Sequence, residues 1–382
     1  MFPLLRTRET VILLCAALLV VQIFLTGIVT RAYHQKLAAL AQQWLAAGEQ
    51  ELKLGHATGA LADFRNALVY APDDSQIQLR LALALAASGR DNEANAYLLG
   101  LLARAPADAP VNLALARISA AGGPEADAMR YYHSAIYGVW PRDGETNRLK
   151  TRLELCQFLI ARHDTSGAEA ELIAFAAEIP NEGGGTLDEQ AGELFLTVGD
   201  ANRALVEFRR ALAAPHPPAG SLRGAGLAAF QLGDYFQAER YLDRASRIRK
   251  DDPMVSQSLT MSRLVLVWNP YATGLSATER ADRARHDFEQ AFSRLQSCAR
   301  QNDVNVSVKP VPQSDLATLY AKAVSLRPQL TEQGFRRDPG LFDATMNLVF
   351  NIENLVAQQC GPPKGFDQVL VLIGKSPRNV QQ

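Results

Sequence analysis

The chain has 382 residues, a formal net charge of −1 and 48% hydrophobic residues. Such a composition is too apolar for a disordered chain, and a charge so close to zero supplies no bulk attraction for nucleic acid, which is set aside as a partner. Aromatics at only 7%, with alanine and leucine abundant, favour helices over sheets.

After a short tail, residues 1–10, residues 11–30 (VILLCAALLVVQIFLTGIVT) carry no charge. Twenty helical residues span about 30 Å, the thickness of a bilayer's hydrocarbon core. They are predicted to form an uncleaved, single-pass transmembrane helix in contact with lipid. The plainer alternative is a cleaved signal peptide, but the run exceeds a usual h-region and no small-x-small cleavage site precedes the soluble part. Leu14 also stands where a lipoprotein site at Cys15 would want a small residue. Arg6, Arg8 and the amino terminus oppose Arg31 and Lys36, a thin positive-inside bias. With a short tail and a large body, this predicts N-in, C-out: in a bacterium, an inner-membrane protein with its soluble part in the periplasm.

Beyond the membrane segment an internal repeat emerges when an alanine, a large residue four later and a small or apolar residue three beyond are aligned. The units are Ala60, Phe64 and Ala67, then Pro72; Ala94, Leu98 and Leu101, then Pro106; Ala128, Tyr132 and Ala135, then Pro141. Next come Ala168, Leu172 and Phe175, then Pro180; Ala204, Phe208 and Ala211, then Pro215; and Ala238, Leu242 and Ala245, with Pro253 beyond. The alanines step by 34, 34, 40, 36 and 34 residues. A helical hairpin explains the pattern: alanine lets paired helices approach, the i+4 and i+7 residues continue that face, and proline stops the helix. Gly55, Gly89, Gly199 and Gly233 stand five residues before the aligned alanine, where the chain turns. Gly122 and Gly123 come slightly early, and His163 occupies that place in the fourth unit.

This spacing resembles the tetratricopeptide repeat (TPR) family over roughly residues 41–253, with units near 41–74, 75–108, 109–142, 149–182, 185–218 and 219–252. Trp44 and Gly48 match the family's first-helix positions, and Gly192 and Gly226 recover the small contact residue. Ala47 and Glu51 depart from it, where leucine and tyrosine are usual. The resemblance implies an all-α, right-handed α-solenoid of about six hairpins within residues 31–253.

Two insertions break the period, Trp140–Asn147 (WPRDGETN) and Asn181–Thr186 (NEGGGT). Gly183 to Gly185 lack a following Walker lysine, so they read as a solvated loop and a hinge candidate rather than a phosphate cradle. From residue 254 to 382 the period is lost while helical signals persist, predicting a helical cap over the solenoid's open end. Met254–Trp268 is an apolar segment expected to pack on the last repeat. Ser276 and Glu279 form a capping box for a helix to about Arg300. Ser314 and Asp315 open another before Pro328, and Pro339–Cys360 a third, stopped by Gly361. Asp303–Val311 reads as an extended connector. Cys298 and Cys360 lie toward the ends of two long helices. They form a disulfide if those helices pack side by side, and otherwise are two buried thiols.

Motifs for catalysis, metal or cofactor are missing: there is no HExxH, GxSxG, GxGxxG or CxxC. Gly374-Lys375-Ser376 mimics the end of a P-loop, but Val369 stands where the earlier glycine is needed. The expectation is therefore a non-enzyme without metal or cofactor. In the family the first helices line a concave groove. The carried register puts Arg80, Arg117 and Lys150 on its groove side, candidates for holding an acidic peptide. Independent surface charges are the alternative. Leu45, Leu79, Leu83, Leu113 and Leu153 approach the same side and would add an apolar component, with some of them belonging to the interhelix core instead. The resemblance implies a membrane-tethered scaffold for protein partners in the cell envelope; the alternative is an accessory subunit for envelope polysaccharide export or modification.

Overall fold

The structure, a computed structural model, describes residues 3–181, 183–302 and 315–376, with side chains from residue 12 on. Among these residues the fold is all-α, with a lone parallel bridge between Asp108 and Val139. Two compact units divide at the turn inside the fourth repeat, Met1–His163 and Asp164–Gln382.

The first unit opens with α1, Pro3–Lys53, a single helix of 51 residues. The expected membrane segment and the first repeat helix are thus continuous, and the tail of residues 1–10 is no separate element from Pro3 on. Side chains from Ile12 to Val29 are exposed, and mean hydropathy reaches 2.7, so this one described helix is long and apolar enough to cross a membrane. Thr26 and Thr30 return their hydroxyls to carbonyls one turn back. After α1 come α2 (Ala57–Tyr70), α3 (Ser75–Ala87), α4 (Asp91–Arg104), α5 (Ala109–Gly122), α6 (Glu125–Ile136) and α7 (Gly144–Ala161). Each packs on its neighbours in sequence, and α3 also touches α5.

In the second unit α8 (Thr165–Glu178), α9 (Gly185–Thr197), α10 (Ala201–Ala213), α11 (Ser221–Gln231) and α12 (Tyr235–Ile248) continue the alternation. First helices again meet, α9 with α11 and α11 with α13 (Pro253–Trp268). This serial stacking, with first helices laid against one another, is the solenoid arrangement within each unit. All six aligned alanines are fully buried, as are Phe64, Leu98, Leu172, Phe208 and Leu242, with Tyr132 nearly so. Trp44 is half-buried against the first core. Gly48 packs under Phe64, Gly192 under Phe208 and Gly226 under Leu242, each too close for a β-carbon.

The turns follow the sequence with named exceptions. Gly55, Gly89, Gly199 and Gly233 have φ of 80°, 73°, 90° and 76°, and His163 takes the same left-handed conformation at 62°. Gly123 does not: its φ is −95°, and the left-handed residue of the next junction is Asp143. Pro72, Pro106, Pro180 and Pro215 stand two residues past a helix end. Pro141 and Pro253 do not terminate their helices. The helix α6 stops at Ile136, and Pro253 opens α13, where a missing N–H goes unnoticed. Residues 144–147 of the first insertion are the first turn of α7, and Gly185 of the second begins α9, where a β-carbon would collide with Ala214. Aspartates that the repeat alignment passed over cap the helices. Asp74, Asp108 and Asp252 cap first helices, while Asp164, Asp200 and Asp234 cap second helices.

The remaining helices are α14 (Ala277–Gln301), α15 (Asp315–Leu326), α16 (Glu332–Arg337), α17 (Leu341–Cys360) and α18 (Phe366–Lys375). Both bonds of the Ser276–Glu279 capping box are present. The connector 303–311 and Ser314 lie outside the described residues. A core of Phe288, Phe292, Leu295, Met346, Val349 and Ile352 joins α14 to α17. Cys298 and Cys360 are bonded, their α-carbons 5.7 Å apart. Arg294 of α14 reaches Glu353 of α17, Asp367 of α18 at 3.4 Å and the Gly361 carbonyl at 2.9 Å. The helix α18 went unrecognised in the sequence. Its Val369 and Ile373 pack with Val265 of α13 and Tyr235 of α12, so the last helix covers α13. The apolar α13 packs on α11 and α12 in the place of a further first helix, 34 residues after the sixth unit begins at 219.

Candidate functional site

The first helices of the first unit carry a register that becomes visible once the hairpins are in place. Leu45, Leu79, Leu113 and Leu153 occupy one equivalent position on α1, α3, α5 and α7, spaced by the same 34, 34 and 40 residues as the alanines. Leu45 is 8% exposed and belongs to the core. Leu79, Leu113 and Leu153 are only half-buried, as is Leu83 one turn along α3. Helix spacing puts Leu79 and Leu83 on one face, four residues apart.

The cations predicted to line this side have partners. Arg80 meets Glu49 of α1 at 3.1 Å. Arg117 donates two parallel bonds, each 2.8 Å, to Glu154 of α7. Tyr132 of α6 donates its hydroxyl to the same carboxylate at 3.0 Å. These hydrogen bonds raise Arg117 above its ordinary value, while burial, followed by the charge of Glu154, pushes the Tyr132 phenol up. Lys150 is exposed. Two of the three predicted cations are therefore neutralised by carboxylates on adjacent first helices, and the structure does not bring the three together as one free positive surface. What it presents instead is a line of half-exposed leucine side chains bordered by closed ion pairs.

Sequence reasoning missed Glu49 and Glu154. They lie 31 residues before Arg80 and 37 after Arg117, and only the repeat step of about 34 hints that such residues sit on neighbouring helices. In the second unit the equivalent positions turn polar. Glu189 accepts from the Ser221 hydroxyl at 2.6 Å, and Arg223 pairs with Asp252 at 2.9 Å. Backbone N–H groups, chiefly that of Val255, together with Arg223, hold Asp252 below its ordinary range. Burial, with Glu189 adding to it, raises Glu193.

Among the described residues no group of three or more His, Cys, Asp or Glu side chains is placed to hold a metal ion. The arrangement offers packing surface and paired charge, which is the chemistry of binding.

No family model and no curated protein matches the chain. Solved structures that are similar include the TPR domain of P58(IPK), 14% identical over 88% of this chain and 96% of that one, with a TM-score of 0.29. A thermophilic TPR protein from Thermus thermophilus is 18% identical over 59% of this chain and 99% of its own, at 0.25. A tetratricopeptide repeat protein from Parabacteroides merdae is 12% identical over 59% and 99%, at 0.26. In this chain's own hairpins, a buried alanine recurs every 34 to 40 residues with a buried large residue four beyond it, and the fold they build is that of tetratricopeptide repeats.

Proposed function

We propose that the chain is a membrane-tethered scaffold that holds a protein partner against the first helices of its first unit. The observation that carries this reading is the leucine register: Leu79, Leu113 and Leu153 keep apolar surface open at equivalent positions, while Arg80 and Arg117 are closed off by Glu49 and Glu154. The favoured ligand is accordingly an apolar or amphipathic segment rather than the acidic peptide expected from the cations alone.

Tethering is supported by α1. An Ile, Leu, Val or Phe side chain gains roughly 1.5–3 kcal/mol on leaving water, and from Ile12 to Val29 such residues find no cover in the protein. A bilayer supplies that cover. The Cys298–Cys360 bond fits a soluble part in an oxidising compartment such as the bacterial periplasm, in line with the Arg6 and Arg8 side facing inward. Confinement to one membrane would raise the local concentration of a second membrane protein at the groove.

The test is crosslinking in intact membranes followed by mass spectrometry, comparing the native protein with Leu79→Glu, Leu83→Glu and with Arg80→Glu, Arg117→Glu, Lys150→Glu. A partner lost from the leucine variant, whose helicity and melting are unchanged, supports the reading. Loss only from the charge variant returns the acidic-peptide alternative, and retention by both moves the site elsewhere.

A further inference from the structure

A second surface lies in the other unit, on the side of the second helices, and is independent of the leucine register. An open pocket of about 470 Å³ is bounded by α10, the loop that follows it, and α12. Its size falls within the roughly 300–1,000 Å³ in which proteins hold small ligands and peptide side chains. Arg209 and Arg244 stand on its wall together with the Tyr241 ring, and among the described residues no carboxylate does. Leu212 and Ile248 form an apolar side, and Pro217 and Pro218 form the rim.

The charges here differ from those of the first unit. Among the described residues Arg209 and Arg244 form no ion pair; Arg209 donates to the Gln237 amide oxygen at 2.5 Å. Neighbouring carboxylates are engaged elsewhere: Asp243 with Arg247 and Arg263, Glu207 with Arg210, and Glu189 with Ser221. Arg240 lies one turn before Arg244 and stacks over Phe236, so α12 carries two cations at i and i+4. Like charges at that spacing disfavour an isolated helix. The helix dipole accounts for Arg247 and Arg210 in the last turns of α12 and α10, but Arg244 and Arg209 stand before those last turns. Ile248 adds a large apolar side chain that is 62% exposed beside these charges.

A bare inorganic anion would engage the guanidinium groups and leave the apolar wall wet. A ligand that satisfies both halves carries an anionic group and an apolar group side by side. We propose that this pocket binds an acidic peptide segment, its carboxylate held between Arg209 and Arg244 and the adjoining apolar side chain laid against Leu212 and Ile248. Guanidinium groups bind carboxylates through paired, charge-assisted hydrogen bonds. The two prolines fix φ along the rim, which lowers the ordering needed on binding.

The experiment uses the full chain in detergent micelles and a fluorescein-labelled peptide, Gly-Gly-Asp-Leu-Asp-Leu, read by fluorescence anisotropy. Its comparison peptide has Asn for each Asp and an amidated end. The proposal expects the acidic peptide to bind, and to lose roughly tenfold or more in affinity when all of its carboxylates are replaced or when the protein carries Arg209→Glu, Arg244→Glu. Ile248→Ser, which leaves both arginines in place and adds no charge, is expected to weaken binding several-fold. Equal affinity for the two peptides, no binding by the native protein, or unchanged binding by the arginine variant overturns it. So does binding to phosphatidylglycerol-containing vesicles that depends on Arg209 and Arg244 while the peptide fails to bind, since the surface would then be a lipid contact.

Discussion

Gly48 of α1 lies flat against the buried ring of Phe64 of α2, where a β-carbon would stand 2.6 Å from the ring's Cε1 atom. Phe64 is completely buried and has nowhere to move, so the close approach of the first hairpin depends on the missing side chain. Replacing Gly48 by alanine gains about 1 kcal/mol of helix propensity but overpacks a closed core, at about 1–3 kcal/mol or more. We expect Gly48→Ala to be destabilising, read as a lower urea midpoint for loss of helicity. Gly27, with nothing within 4 Å, is the control whose change to alanine does not lower the midpoint, since it gains propensity without overpacking.

The left-handed turn residues make the opposite pair of predictions. A non-glycine residue at positive φ costs roughly 1–2 kcal/mol, and His163 holds φ at 62°. His163→Gly should therefore leave stability unchanged or raise it by up to about 1 kcal/mol, the gain being offset in part by the freer unfolded chain. Gly199→Ala, at φ 90° with open space around it, should lower stability by about 1 kcal/mol through the backbone alone. Thermal melts of the two variants check both signs.

The Cys298–Cys360 bond encloses a long loop, with a sequence separation of 62. The chain-entropy estimate for a loop of that length is about 4 kcal/mol, and measured values usually run lower, at about 2–4 kcal/mol. Reduction, or Cys298→Ser, should lower the melting temperature of the C-terminal helices, while Cys156→Ser should leave the response to reductant as it is in the native protein. Circular dichroism melts with and without dithiothreitol, paired with a non-reducing peptide map, provide the measurement.

Asp287 gives the second unit a pH dependence. Burial lifts its carboxyl from 3.8 to about 6, against the weaker pull of His286 and Arg283, and neither carboxyl oxygen has a hydrogen-bond partner among the described residues. Between those values the folded state binds more protons than the unfolded one. Stability is therefore highest below the unfolded value, falls as pH rises through about 6, and is flat above it with respect to this group. The rise from 3.8 to about 6 corresponds to roughly 3 kcal/mol. Asp287→Asn should remove much of this slope and be more stable than the native protein at pH about 8, checked by melts at pH about 5 and about 8.

What the chain's sequence determined by itself is the part governed by near neighbours along the backbone. Helix periodicity and the need for small residues at helix crossings placed Ala60, Phe64 and their five repeats in the core. The repeat register placed the turns at Gly55, Gly89, His163, Gly199 and Gly233, where the backbone takes positive φ. Twenty uncharged residues sufficed to mark the apolar length of α1, because hydropathy sums along the chain whatever packs beside it. Proline was a weaker guide, since Pro253 stops nothing and starts a helix: one residue type suits both the first turn and the region after the last.

Only the tertiary structure decided which charges are free. Arg80 and Arg117 looked like open cations because their partners, Glu49 and Glu154, come from adjacent hairpins, and the reach of a long side chain depends on how rigid helices are set against each other. The same reason applies to Cys298 and Cys360, whose pairing required α14 and α17 to lie side by side. It applies again to α18, whose apolar face is meaningful only against α13. Arg209 and Arg244 differ from the first pair in the opposite sense: packing closed off the carboxylates around them and left those two cations facing an open pocket. Local order follows from local sequence, whereas a binding surface is made of what packing leaves unsatisfied.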